Sequence, residues 1–478
     1  MQLVFNAVSE AQPGPKWQTL FQQYWPAYRA WFIQRGGEQG PSLTEAERAL
    51  RQHMPELVPT FERLVELTGG DELAARLLSM YQPPAYLISC SQAALVTAQE
   101  RVLVRNYDLD PNLNEGLILH SQWSGRPVIA TSEFLWGVAD GINADGLALS
   151  LAFGGRRVVG EGFGIPLILR YMLEVCADVK SAIAVLQRVP SHMAYNVTLL
   201  DRQGEAVTVQ VAPDRAPVVL NTPVATNHQG TPEWAEHARF TATLEREQHL
   251  HDHLASEQLD GEGLINAFTR SPLYNTDYQR GFGTLYTAVY RPQQGHAEWH
   301  WPNAVWRQNL HDFKEDQRLI KYSAAGAKMT SPTVSPAASP AVGRPVSSPP
   351  RRRKVREFPT RLNPARLTPI PATPAARTQR PQPARQEPSY GYQSYWESYA
   401  DYSRWNQSGG DYSHWGQSYW TQSGEDDNEI RQILGGLRQS LGGARQPWSG
   451  RLLDWCKEAE QRGEIPWHTL GHVFTASY

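Results

Sequence analysis

A cysteine followed by an arginine and an aspartate forms the most reactive combination of side chains in this sequence. Cys90 comes shortly after a turn-prone pair of prolines at positions 83 and 84, and Arg105 and Asp108 follow it by fifteen and eighteen residues. A free cysteine is only a few per cent thiolate at neutral pH, so a cysteine nucleophile needs a nearby cation or base. The pattern therefore indicates a nucleophile with two electrostatic partners.

A hairpin would bring these groups together. Neighbouring strands lie about 5 Å apart, so a strand over Arg101–Asp108 can return beside Cys90 and let Arg105 stabilise the thiolate. If the chain is cut before Cys90, the new α-amine, with a pKa of about 8, can act as the base while Asp108 holds it. The alternative is a buried structural cysteine beside an unrelated ion pair, and the spacing alone leaves both open.

Composition and charge narrow the function classes. The chain has 478 residues, long enough for more than one domain, and its formal charge of −3 gives no general case for nucleic-acid binding. No cluster of cysteine and histidine suggests a metal, and we expect no cofactor. No run approaches about 18 apolar residues, so no membrane span is predicted, and Met1–Lys16 does not resemble a signal peptide.

The number and spacing of the cysteines indicate the redox state of the cellular compartment. They number three, Cys90, Cys176 and Cys456, and they lie far apart. An odd and widely spaced set argues against a disulfide framework and favours a reducing, cytoplasmic location. Cys176 lies in an apolar periodic run and is expected to be a small core residue.

The segment before Cys90 reads as a helical leader, residues 1–89, that is either cut off or retained. Helices are predicted over Pro15–Arg35, Ser42–Leu67 and Asp71–Tyr81. Ser42 begins its helix with a capping box, since a glutamate follows three residues later.

Strand patterns begin at Cys90. The predicted strands are Ala93–Thr97, Arg101–Tyr107, Gly116–His120, Pro127–Thr131, Trp136–Gly141, Gly146–Phe153, Ala194–Asp201, Ala206–Ala212, Val218–Leu220, Gly283–Arg291 and Ala297–Trp301. The helices predicted among them are Ile165–Cys176, Val179–Val189 and a long charged one, Pro232–Leu254. This order predicts an α+β domain over residues 90–323, with a sheet-on-sheet core between outer helical layers.

Several motifs in this domain resemble one family. Their order is Cys90-Ser91-Gln92, then Val104 to Asp108, then the turn from Asp140 to Leu147, then Ala225-Thr226-Asn227-His228. Together they resemble the penicillin acyltransferase-like cysteine hydrolases (acyl-CoA:6-aminopenicillanic acid acyltransferase), which are relatives of the choloylglycine hydrolases in the N-terminal-nucleophile (Ntn) superfamily. The resemblance covers roughly residues 50–315.

The resemblance implies an αββα Ntn-hydrolase sandwich and assigns roles at the site. Cys90 matches the nucleophile, and Arg105 and Asp108 match the arginine and aspartate that lower the thiol pKa and orient the α-amine. Asn227 matches the asparagine whose amide donates to the oxyanion, a contact typically worth about 3 kcal/mol. Arg239 is a candidate for the family's later active-site arginine.

Other placements implied by the resemblance are weaker. Phe153 is a candidate for the backbone amide that completes the oxyanion hole, and Asn143 is expected to shape its turn. Ser89 stands where self-processing members often have glycine, although serine is small enough for an N-to-S acyl shift. If the leader stays attached, another base is needed; His228 is a candidate, but a histidine in a loop is more often structural.

The remainder of the chain changes character. Residues 324–425 are predicted to be a disordered low-complexity linker, rich first in proline, serine and arginine and then in tyrosine and tryptophan. Its basic cluster, Arg351–Lys354, suits binding to RNA, to an acidic surface or to an import receptor; the alternative is a solvated linker. Residues 426–478 carry helical patterns at Glu429–Leu441 and Ser449–Arg462.

Two functions follow from these patterns. The first is a cysteine amide hydrolase or acyltransferase that acts on a small-molecule N-acyl amide or acyl thioester, with self-cleavage before Cys90. The second is an inactive interaction protein of the same fold whose tail binds nucleic acid or a protein. Homo-oligomerisation and a partner for the tail remain open, and the substrate cannot be read because loops set specificity.

Overall fold

The computed structural model describes residues 2–86, 88–278, 282–323 and 326–330. The start of the predicted disordered linker is wrong, because Gly326–Thr330 forms a strand paired with the one before it. The rest of the predicted linker, its basic cluster, the aromatic-rich segment and the two C-terminal helices lie outside the described residues. The domain boundaries stay predictions. Among the described residues, no helix has the length and apolarity needed to cross a membrane.

Strands outnumber helices in the part of the chain that follows Cys90. In chain order the strands are β1 (Gln2–Glu10), β2 (Ser89–Val96), β3 (Arg101–Leu109), β4 (Leu117–Ser121), β5 (Val128–Glu133), β6 (Gly137–Asn143), β7 (Ala148–Phe153), β8 (Tyr195–Leu200), β9 (Ala206–Ala212), β10 (Arg215–Leu220), β11 (Val224–Ala225), β12 (Gly283–Arg291), β13 (His296–Trp301), β14 (Ala304–Asn309), β15 (Asp316–Ser323) and β16 (Gly326–Thr330).

Helices lie before the first hairpin and between the strand blocks. They are α1 (Pro15–Gln34), α2 (Leu43–His53), α3 (Val58–Leu67), α4 (Glu72–Ser79), α5 (Ile165–Val175), α6 (Val179–Arg188), α7 (Ala235–Phe240), α8 (Thr243–Leu254) and α9 (Gly261–Phe268). The capping box predicted at Ser42 is present, with both reciprocal hydrogen bonds to Glu45.

Two sheets form the centre of the described fold. One has ten strands in the order β10-β9-β8-β7-β6-β5-β4-β1-β15-β16, and the other has six in the order β11-β2-β3-β12-β13-β14. Neighbouring strands run antiparallel except β1 and β4, which are parallel. Most paired strands are consecutive in the sequence and are joined by short hairpin turns. A strand that returns through such a turn runs antiparallel to the strand before it.

The sheets face each other and helices cover both outer faces. Gln92 on β2 donates to the backbone oxygen of Asn196 on β8 at 3.0 Å, a buried contact that joins the two sheets. Helices α5 and α6 pack on the ten-stranded sheet, and α8 and α9 pack on the six-stranded sheet. The result is the αββα sandwich expected from the sequence.

The N-terminal segment contributes more than helices. Its strand β1 lies between β4 and β15, and Phe5 on this strand is fully buried. Helices α1 and α4 hold the turn between β5 and β6, since Trp17 donates to the oxygen of Leu135 and Trp136 donates to the oxygen of Leu78. The predicted helices are present, except that Ser42–Leu67 forms two helices, α2 and α3, separated by a 3-10 turn at Pro55–Leu57. The strand was not foreseen.

The long helix predicted over Pro232–Leu254 is two helices. Helix α7 ends before Thr241, and Ala242 adopts a left-handed backbone conformation with φ of 47°. The separate helix α9 was also not foreseen.

Candidate active site

The β2–β3 hairpin places the predicted nucleophile. Cys90 lies opposite Tyr107, and Gln92 lies opposite Arg105, so these four side chains share one face of the sheet. Successive side chains in a strand point to opposite faces. Asp108, opposite Ser89, therefore lies on the other face.

Arg105 contacts the thiol from the face between the sheets. Its Nη2 donates to the sulfur of Cys90 at 3.1 Å, and its Nε donates to the oxygen of Leu151 at 3.0 Å. Its Nη1 forms a buried ion pair with Asp140. Because the guanidinium is planar, these three contacts fix its orientation toward the sulfur.

Asp140 anchors this guanidinium and was not predicted as a site residue. Besides Arg105, its carboxylate accepts hydrogen bonds from Thr131 at 2.8 Å and Tyr286 at 2.9 Å, and from Tyr290. Three hydroxyl donors and one cation satisfy the buried charge, as a buried carboxylate requires. The sequence placed this residue in a recognisable turn motif but gave no indication of its partner.

Asn227 lies at the backbone of Cys90. It follows β11, which pairs with β2, and its Oδ1 accepts from the nitrogen of Cys90 at 3.1 Å and from the hydroxyl of Ser89 at 3.0 Å. Its Nδ2 donates to the carbonyl oxygen of Phe153 at 3.1 Å. Phe153 thus contacts the site through its carbonyl group.

Arg246 is the second arginine of the site, and sequence reasoning missed it. From α8 it donates to the carbonyl oxygen of Cys90 at 2.7 Å, to Ser91 at 2.7 Å and to Oδ1 of Asn227 at 2.8 Å. Arginine can only donate, so this contact also fixes which end of the Asn227 amide is oxygen. Its Nη1 lies 4.0 Å from Asp108.

Arg239, the arginine named from the sequence, lies elsewhere. Its side chain is exposed on α7. Within the described residues it makes no hydrogen bond or ion pair with Cys90, Asp108 or Asn227. Arg246, seven residues further on, makes these contacts instead, because the break at Ala242 starts a new helix directed at β2.

Asp108 is held between a hydroxyl and a cation. The hydroxyl of Thr284 donates to its Oδ1 at 2.7 Å. Burial raises the pKa of this carboxyl to about 6, and Arg246 opposes the rise. The group therefore titrates closer to neutrality than an ordinary aspartate.

The thiol itself is closed off from solvent. Cys90 is fully buried, and burial raises its pKa to about 12 against the opposing effect of Arg105. Cys90 is also still joined to Ser89, so its nitrogen is an amide rather than an amine. In this state the sulfur is a protonated thiol and a poor nucleophile.

The other predicted residues have structural contacts. His228 contacts Thr243 through Nδ1 at 3.0 Å and Glu247 through Nε2 at 3.2 Å, away from the thiol. Asn143 accepts from the nitrogen of Leu147 at 3.0 Å and so shapes its turn. Among the described residues, no group of histidine, cysteine and carboxylate side chains is arranged to hold a metal ion.

Comparisons with known proteins were made for sequence and for structure. No curated protein matches the chain. One similar solved structure is a mutant conjugated bile acid hydrolase from Clostridium perfringens, with 14% identity, a TM-score of 0.34, and coverage of 49% of this chain and 97% of that chain.

Two further solved structures are similar at the same level. Penicillin V acylase from Agrobacterium tumefaciens has 14% identity and a TM-score of 0.35, over 48% of this chain and 90% of that chain. The N-acylethanolamine-hydrolyzing acid amidase ortholog of Caenorhabditis elegans has 18% identity and a TM-score of 0.31, over 43% of this chain and 93% of that chain.

A family model matches the middle of the chain. It is described as Acyl-coenzyme A:6-aminopenicillanic acid acyl-transferase, and it spans residues 96–306. The match begins six residues after Cys90 and includes Arg105, Asp108, Asn227 and Arg246. It confirms the resemblance drawn from the motifs: residues 96–306 match the model of the acyl-coenzyme A:6-aminopenicillanic acid acyl-transferase family.

Proposed function

We propose that this protein is a cysteine amide hydrolase or acyltransferase that acts on N-acyl amides or acyl thioesters through an acyl-cysteine at Cys90. One observation carries the proposal: two buried arginines, one asparagine and one carboxylate converge on a single buried cysteine. Buried charges are costly, and a purely structural cysteine needs none of them.

Each group has a part in this proposal. Arg105 stabilises the thiolate, because its guanidinium already donates to the sulfur. Arg246 holds the carbonyl group of Cys90 from the opposite face, and Asp108 lies 4.0 Å from Arg246. The side-chain amide of Asn227 has two N–H groups. One donates to Phe153, and the other is the donor that we assign to the oxyanion.

We propose that the enzyme becomes active when the bond between Ser89 and Cys90 is cleaved. The thiol attacks the carbonyl carbon of Ser89, the C–N bond breaks, and the nitrogen of Cys90 takes up the proton to become an amine. Water then hydrolyses the resulting thioester, which frees the sulfur. The new amine, with a pKa of about 8, can accept the thiol proton at each later turnover. Asn227 already accepts from this nitrogen at 3.1 Å.

Intact-mass spectrometry tests the proposal. The purified full chain is incubated with a panel of N-acyl amides and acyl thioesters, beside Cys90→Ala and, as matched control, Cys176→Ala at a second buried cysteine. We expect wild type and Cys176→Ala to form a fragment that begins at Cys90 and to gain the mass of one acyl group. We expect Cys90→Ala to do neither.

A different result would favour the second function. A chain that stays intact and gains no acyl mass from any probe, while it binds RNA through residues outside the described part, would be an interaction protein. The cytoplasmic location stays a prediction from the cysteine count.

A further inference from the structure

A second carboxylate, that of the partly buried Glu133, lies on the thiol side of the hairpin. Glu133 ends β5, and its Oε1 accepts a hydrogen bond from the hydroxyl of Tyr107 at 3.2 Å. Tyr107 lies directly opposite Cys90, and paired residues of neighbouring strands have side chains on the same face. The carboxylate therefore lies at the far end of the Tyr107 ring, on the side of the sulfur.

One oxygen of this carboxylate is left over. Within the described residues, Oε2 of Glu133 is buried and has no hydrogen-bond partner. Arg105 is close enough to interact electrostatically with Glu133, but its nitrogens are committed to Cys90, Asp140 and Leu151. Burying a carboxylate oxygen without a hydrogen-bond donor destabilises the folded protein.

A hydroxyl of the preceding segment lies next to it. Tyr86, four residues before Cys90, packs its ring edge-to-face on Phe134 with centroids 5.2 Å apart. Burial, followed by the charge of Glu133, raises the pKa of the Tyr86 hydroxyl. Cleavage after Ser89 would create a new chain end three residues beyond this tyrosine.

We propose that Glu133 forms a subsite for a positively charged amine on the substrate, so that the protein acts on acyl groups carrying an ammonium near the scissile carbonyl. This proposal rests on the proposed function. An ammonium would supply the missing donor to Oε2 and neutralise the charge. Burial raises the pKa of Glu133 to about 7, so the subsite is charged above neutral pH.

Glu115 offers a matched control. It is also a buried carboxyl, and within the described residues its Oε2 likewise has no hydrogen-bond partner. Its Oε1, however, accepts from the nitrogen of Leu135 at 2.8 Å and from the hydroxyl of Tyr28, and not from the residue opposite Cys90. These partners belong to the loop after β5 and to α1. We therefore assign Glu115 a structural role with no contact to substrate.

The test compares two acyl groups of the same shape. Alanyl and isobutyryl p-nitroanilides and thiophenyl esters differ by an ammonium in place of a methyl group, and each is given at pH 7.5 to wild type, Glu133→Gln and Glu115→Gln. We expect wild type and Glu115→Gln to favour alanyl in kcat/KM by roughly 10- to 100-fold, as charged hydrogen bonds do. We expect Glu133→Gln to reduce this ratio to about threefold or less.

Failure of the subsite proposal and failure of the proposed function give different experimental results. Acylation of Cys90 without a preference for alanyl, or a preference that survives Glu133→Gln, overturns the subsite and leaves the proposed function intact. If no probe acylates Cys90, the proposed function fails, and calorimetry with alaninamide and isobutyramide decides the subsite separately. Equal binding of these two amides by wild type overturns it; tighter binding of alaninamide that Glu133→Gln abolishes supports it.

Discussion

Arg105 and Asp108 point to opposite faces of β3, Arg105 toward the sulfur of Cys90 and Asp108 toward Arg246. They are three residues apart on β3, and the alternation of side chains directs Arg105 to the sulfur and Asp108 to the backbone side of Ser89. In the proposed mechanism these two residues therefore have different roles. One group acts on the thiol, and the other acts on the nitrogen that cleavage would free.

Removing Asp140 should unfold the thiol side of the site. Asp140→Ala leaves the guanidinium of Arg105 buried without its counterion, which typically costs about 3 to 5 kcal/mol. Urea unfolding measures this loss. Asp145→Ala is the control, because its ion pair with Arg126 is partly exposed and should contribute about 1 kcal/mol or less. Equal losses for both variants would contradict the anchoring role.

Arg246 and Arg239 should behave differently. Arg246→Ala removes the donors to the Cys90 carbonyl and to Asn227, so we expect the rate of Cys90 acylation to fall by about 100-fold or more. Arg239→Ala changes an exposed side chain and should leave the rate within about twofold. Acyl-enzyme mass against time gives both rates. Comparable losses would mean that the structure assigns the wrong arginine.

The pKa of Glu133 predicts a pH dependence of stability. Burial raises it from 4.5 to about 7, so the folded protein binds a proton that the unfolded chain releases. The stabilisation is full below pH 4.5, declines as the pH rises toward 7 and is lost above it. Asp108, raised to about 6, adds a similar decline.

Glu133→Gln isolates this contribution because glutamine mimics the protonated acid. Relative to wild type, the variant should gain roughly 2 to 3 kcal/mol of unfolding free energy between pH 4.5 and 7.5. Urea titrations at these two pH values measure the gain. A difference that does not change with pH would show that the carboxyl titrates normally.

Strand β1 should be essential for stability. Phe5 is fully buried and makes edge-to-face contacts with Tyr286 and Trp301, with centroids 6.0 and 5.5 Å apart. Phe5→Ala should cost about 3 to 5 kcal/mol. Val4→Ala, at a position 42% exposed, should cost about 0.5 kcal/mol or less. Thermal unfolding compares the two, and similar values would argue against a central position for this strand.

Local sequence signals predicted much of the fold. The β2–β3 hairpin, the capping box at Ser42 and helices α5 and α6 follow from periodicity and turn chemistry over a few residues. Strand β1 was missed because its partner β15 lies about 300 residues away along the chain. No local pattern reports a pairing at such a distance.

Sequence separation also explains why only part of the site was predicted. Cys90, Arg105 and Asp108 are close in sequence, whereas Arg246 lies in a charged stretch that is typical of a solvated helix. One signal could have found it. Thr243, Arg246 and Leu250 fall at the spacing of one helical face, and an arginine at a buried-face position suggests a buried partner.

The position of β1 inside a sheet determines what cleavage before Cys90 would produce. If the bond before Cys90 breaks, the first 89 residues keep their hydrogen bonds to β4 and β15, so nothing is shed. The product would be a two-chain enzyme, held together without a covalent link, and pulling out the smaller chain would split the ten-stranded sheet in two.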